Sequence, residues 1–177
     1  MKKLLYTLLA VSIIFSACKK EDEEPSAVSI GDTHQGGIIF YLNANGGGLI
    51  AAPSDLDPTQ WGCYGTLIGT NSGIETGAQN TIDIEAGCTT FGTAADVCAN
   101  LTLGGYSDWF LPSKDELNEI YVNLYLQELG GFTSGHYWSS TELDNNDAWN
   151  LSFGDGIQFS FNKNNSDHCY VRAIRAF

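Results

Sequence analysis

Gly105-Tyr106-Ser107-Asp108-Trp109-Phe110-Leu111-Pro112-Ser113-Lys114-Asp115-Glu116-Leu117 joins an aromatic turn to a helix start that the residues spell out. Pro112 fixes the entry, and Ser113 is placed to cap the free amides of the first turn. Glu116, three residues on, can reach back to the cap and complete a capping box. Leu117, Ile120, Tyr121 and Leu124 follow at helical spacing, with Glu128 in the same register, and Gly130-Gly131 ends the helix. This is a signal of fold and names no reaction.

Downstream, Gly135 to Thr141 reads as a strand, and Trp149, Leu151 and Phe153 alternate within Ala148 to Phe153. Gly154-Asp155-Gly156 turns the chain into a second arm, with Ile157, Phe159 and Phe161 alternating again. Asn162 to Asp167 is a polar loop, and Cys169 to Phe177 a closing strand. Upstream, Thr93 to Leu101 is a short helix with Ala94, Val97, Cys98 and Leu101 on one face. Residues 53–90, rich in Gly, Thr, Asn and Ser, read as one long loop holding Trp61-Gly62-Cys63-Tyr64-Gly65. Before it, residues 36–42 and 48–52 form a hairpin across Asn43-Ala44-Asn45-Gly46-Gly47. That glycine cluster lacks the lysine and following helix of a phosphate cradle, so it is turn chemistry. The expected class is α+β: two helices and an antiparallel sheet closed by the C-terminal strand.

The 177 residues carry a formal charge of −13, and 43% of them are hydrophobic, enough for one packed domain. Without Lys2 and Lys3, six basic residues face 21 acidic ones. Such a balance repels phosphate backbones and excludes nucleic acid as a partner.

Met1-Lys2-Lys3 and the apolar run Leu4 to Phe15 read as a secretory signal, too short to span a bilayer. Phe15-Ser16-Ala17-Cys18 resembles the lipobox of bacterial lipoproteins. That resemblance implies removal of residues 1–17 and diacylation of Cys18, a two-chain membrane anchor. Residues 18–34 then form the lipidated cysteine and an acidic linker, ahead of a domain over 35–177. The run Lys19-Lys20-Glu21-Asp22-Glu23-Glu24 resembles the acidic export signal of surface lipoproteins, which implies an outer-membrane protein facing outward. In an oxidising compartment the four remaining cysteines, Cys63, Cys88, Cys98 and Cys169, suggest disulfides, in any of three connectivities. Cys63 and Cys88 sit at the two ends of the long loop, and a bridge between them is its simplest staple. No C-x-x-C or His spacing indicates zinc.

The stretch from Gly105 to Leu117, followed by Tyr137-Trp138-Ser139-Ser140 and Val171-Arg172-Ala173-Ile174-Arg175, resembles the C-terminal domain family of bacterial collagen-like adhesins. The resemblance covers roughly residues 34–177. It implies a C-type-lectin-like fold in which an early helix and the last strand are joined by a disulfide, here Cys98 to Cys169. It also implies adhesion to sulfated polysaccharides. The strong negative charge opposes such a ligand and favours a neutral glycan or a cell-surface protein. The asparagine-rich C-terminal third also looks like the ends of retroelement-diversified lectin-fold proteins, which leaves a display protein of variable ligand as one alternative and a structural surface protein as another.

Polar residues between large strand residues suit sugar recognition, with hydroxyls on amides and carboxylates and ring faces on aromatics. The expected ligand set is Trp138, Asp144, Asn146, Trp149, Asn150, Asp155, Gln158, Asn162 and His168, with Trp61 and Tyr64 as a second wall. Asp144 to Asp147 lacks the spacing of a calcium loop, so no metal or cofactor is expected. His34, His136 and His168 are scattered and define no triad. The related formylglycine-generating enzymes need a close cysteine pair, which Cys169 lacks, so no catalysis is expected. Arg172 and Arg175 are expected to clamp acids such as Asp108 or Glu116.

Overall fold

The computed structural model of the chain describes residues 28–165 and 168–177. The expected signal peptide, Cys18 and the acidic run lie outside these residues. Twelve elements follow in order: β1 (Thr33–His34), β2 (Gly37–Leu42), β3 (Gly48–Ala51), α1 (Gly77–Gly87), α2 (Ala94–Ala99), α3 (Lys114–Asn123), a 3-10 turn (Tyr125–Gln127), β4 (His136–Glu142), β5 (Asp147–Ser152), β6 (Gln158–Asn162), β7 (Cys169–Tyr170) and β8 (Ile174–Ala176). The class is α+β, as expected.

Among the described residues there are two four-stranded sheets rather than one, ordered β1-β2-β3-β8 and β6-β5-β4-β7. All pairings are antiparallel except β7 on β4. The expected single closing strand is therefore split. Cys169–Tyr170 joins the second sheet and Ile174–Ala176 the first, with Val171 bridging to Leu56 between them. Alternate residues of the central strands feed two apolar clusters. Ile39, Ile50, Trp138 and Val171 enter one, and Phe40, Leu49, Ala51, Tyr137 and Ile174 the other. β1 and Val28, which packs on the first cluster, place folded chain inside the stretch read as linker.

The capping box forms as read. Ser113 Oγ accepts from the Glu116 amide at 3.2 Å, and Glu116 Oε2 accepts from the Ser113 amide at 2.7 Å. Ser113 Oγ also donates to the Gly73 carbonyl at 2.8 Å, and Ser113 and Glu116 are both fully buried. Burial pushes the Glu116 carboxyl above the usual carboxylate range. α2 starts at the Thr93 cap, with Ala94 and Cys98 inward.

The third helix, α1, lies inside the stretch read as loop. Its buried residues are Gly77, Asn80, Thr81 and Ile84, at i, i+3, i+4 and i+7. The period is helical but only Ile84 is strongly apolar, so hydrophobicity does not reveal it. This face works by hydrogen bonds instead. Asn80 bonds both backbone groups of Asn71 and reaches Ser140 Oγ at 3.0 Å. Thr81 Oγ1 donates to Gly77 and accepts from Leu111. A Cβ on Gly77 would stand 2.3 Å from Glu116 Oε2, so glycine lets α1 dock against the α3 cap.

Arg175 pairs with Asp108 as expected and lies over the Tyr106 ring. Arg172 takes Asp55 instead of Glu116, with Nε donating to Oδ1 at 2.7 Å. Its Nη1 donates to the Ala52 and Gly130 carbonyls, and Phe132 covers the guanidinium at 3.7 Å. Asp55, read as a turn residue, also accepts the Tyr137 hydroxyl at 2.8 Å.

Cys63 and Cys88 form the expected disulfide, tying the long loop to the end of α1. The expected Cys98–Cys169 bridge is absent. Both are free and fully buried, and both pack in the first cluster as small apolar side chains. Burial raises both thiols, that of Cys169 to about 12.

Candidate ligand-binding face

Glycines at positive φ (Gly62, Gly65 and Gly69), together with Cys63 at φ 58°, bend the chain from Trp61 to Thr70 into a loop on the second sheet. What fixes it there is an enclosed ion pair. Lys163 is fully buried and meets the buried Glu142 carboxylate. Lys163 Nζ also donates to the Thr66 carbonyl at 2.9 Å and stands 4.7 Å from the centre of the Trp61 ring. The same carboxylate accepts from the Ile68 amide at 2.9 Å and the Gly69 amide at 2.7 Å. Thr70 Oγ1 accepts from the Glu142 amide, and the Gly65 amide donates to Asn145. One buried pair thus joins the loop, the end of β4 and the end of β6.

The outer side of this junction carries Tyr64, Leu67, Leu143, Asp144, Asn145, Asn162 and Asn164, all exposed. Asp144 Oδ1 accepts the amides of Asn146 and Asp147 at 2.8 and 2.9 Å. Those amides hold its carboxyl below the usual range, and it is charged at neutral pH. Asn162 Oδ1 caps Asn164 in the same manner, and its carbonyl takes the Asn165 amide. Asn165 in turn meets His168 Nδ1 at 3.1 Å. Asp144, Asn146, Asn162 and His168 therefore stand on neighbouring turns, with Tyr64 beside them through the Gly65–Asn145 bond.

The rest of the expected set is not there. Trp138 is fully buried and donates its indole N–H to Thr59 at 2.9 Å, so it is core. Asn150, 1% exposed, spans His136 Nδ1 and the Phe159 carbonyl and holds β4 to β6 across β5. Trp61 is buried too, bonded to Ser139. Asp155 and Gln158 sit at the opposite end of the β5–β6 hairpin, about 13 Å from Asn162 at strand spacing. There the Ser152 hydroxyl and the Ile157 amide lower the Asp155 carboxyl. Trp149 is half-buried, and the Lys114 ammonium occupies its ring at 3.7 Å. A ligand would have to displace that lysine.

Sequence reasoning missed Glu142, Lys163, Leu67 and Leu143. A lysine ending the uncharged run Gly156 to Asn162 was the available clue, since an isolated cation beside an aromatic strand is placed for pairing. Separate clefts of about 450 and 230 Å³ exist, the first lined by Tyr125, Leu126, Glu128, Leu129, Gly131 and Phe132, the second between α1 and Ser107–Phe110. Neither contains an expected ligand residue. Among the described residues no group of three or more His, Cys, Asp or Glu is arranged to hold a metal ion.

An α+β domain with a stapled, ion-pair-anchored loop over one sheet is the class these features define. The sequence model of the Lcl C-terminal domain matches residues 65–175, and the chain belongs to that family. The match opens just past Cys63 and leaves out β1, β2 and β3, although β3 pairs with β8 at the matched end. No curated protein matches the chain.

Proposed function

We propose that this is a surface-anchored lipoprotein whose domain, C-type-lectin-like in fold, binds a neutral glycan or a protein on another cell. The binding elements are the Tyr64–Thr70 loop, the Asp144–Asn146 turn and Asn162. Acylated Cys18 would hold it at the outer membrane, facing outward. Family membership supports an adhesin-related role. The observation that carries the reading is the enclosed Lys163–Glu142 pair, whose further bonds go to a loop with Tyr64 and Leu67 outermost. Pre-ordering a loop lowers the entropy lost on binding and so favours recognition. The carboxylates and amides of the face lie along turns rather than converging on one reacting point, which favours binding over catalysis.

A glycan array and a cell-surface protein panel, probed with the full chain in calcium and in chelator, test this. Binding that is indifferent to chelator and falls at least tenfold in Tyr64→Ala and Asn146→Ala is expected. Loss of binding on chelation would point to a metal-dependent site instead. Binding unchanged in both variants would remove the face from the reading.

A further inference from the structure

The strand β6 is an edge: it pairs with β5 and, among the described residues, with no other strand. The other sheet edges are two or three residues long, while β6 has five. Backbone bonds from Ser152 to Ile157 and from Lys163 to Asn146 mark the two ends of one register. In that register Ile157, Phe159, Phe161 and Lys163 direct their N–H and C=O groups toward β5. Gln158, Ser160 and Asn162 consequently direct theirs outward, with Asn162 O also taking the Asn165 amide.

The strand reads Gln158-Phe159-Ser160-Phe161-Asn162, nearly the same in both directions. Edge strands are ordinarily guarded by charge, proline or a bulge, and Gly156 to Asn162 contains no charge and no proline. Phe159 is 38% exposed, and His136 packs against both Phe159 and Phe161.

We propose that β6 pairs two copies of this chain antiparallel about a two-fold axis through Ser160. The outward-facing residues then meet one another. Ser160 exchanges two bonds with its symmetry mate, and Gln158 stands opposite Asn162. Phe159 falls opposite Phe161 in the closer, non-hydrogen-bonded pair, on the face where His136 packs. The result is a self-complementary, isologous contact. In a chain of net charge −13 the main obstacle is like-charge contact. This register avoids it, since Asp155 falls opposite Asn165 and the enclosed Lys163 opposite Ile157. That charge pattern selects a second copy over an arbitrary extended peptide.

Sedimentation of the full chain in mild detergent tests the pairing, because every variant carries the same N-terminal segment. Wild type is expected at twice the chain mass, and Ser160→Pro and Ser160→Lys at one. The proline removes an N–H that faces away from β5 and so leaves the existing ladder intact; matched melting temperatures check that both variants fold. Ser160→Cys should oxidise to a covalent dimer, while Gln79→Cys, on the exposed side of α1, should not. A wild-type monomer at all concentrations, or a dimer unchanged by both substitutions, overturns the proposal. So does a β6 edge that takes up an added extended peptide while the chain itself stays monomeric.

Discussion

Lys163 and Glu142 form an ion pair closed off from water, and the carboxylate's remaining bonds go to the amides of Ile68 and Gly69. Lys163→Met leaves the carboxylate buried without its cation, at a cost of about 3 kcal/mol. The loop should loosen at the same time. Hydrogen exchange at Ile68 and Gly69 is expected to quicken by more than at Ala51, in the core of the first sheet. Equal acceleration at all three would mean that the pair supports the whole fold rather than the loop.

The disulfide acts on the same loop from its other end. Cys63 and Cys88 are 25 residues apart, and opening a closure of that length costs about 3.5 kcal/mol in chain entropy. Chemical denaturation of Cys63→Ala/Cys88→Ala should show a fall of that size.

Thiol counting distinguishes the free cysteines from the bridge implied by family resemblance. Native protein should leave Cys98 and Cys169 unlabelled, since burial raises both thiols and shields them. After unfolding without reductant, both should react. Finding neither reactive would reinstate the Cys98–Cys169 pairing.

Glu116 gives a pH dependence of definite sign. Its folded-state pKa lies above the unfolded value, so the stability it contributes is full below the unfolded pKa and lost as pH rises through the folded one. Glu116→Gln keeps an acceptor for the Ser113 amide and removes the charge. Its melting temperature relative to wild type should be higher at pH 7 than at pH 4. By contrast, Ser113→Ala, which abandons both Glu116 N–H and Gly73 C=O, should cost about 2 kcal/mol.

The helix start at Ser113 could be read because capping is local chemistry, written in residues that bond to one another. α1 could not be read because its inward face is Gly77, Asn80 and Thr81, whose partners Asn71, Ser140 and Leu111 are fixed only by the tertiary fold. The candidate face failed for a related reason. β4 is buried along nearly its whole length, so alternation there separates one core from another and not inside from outside. Trp138 on that strand therefore looked like a platform and is a packing residue. The exposure of Asp144 and Asn162 was legible because a turn must expose its polar side chains wherever the strands go.

The final nine residues supply a strand to each sheet, and Val171 to Ile174 between and within them are all buried. Neither sheet is complete until those residues have arrived. The segment 169–177 is thus a clasp shared by both sheets, and until it docks each of them lacks a strand. Deleting the last few residues should then yield a protein that never matures, however intact its proposed recognition loop.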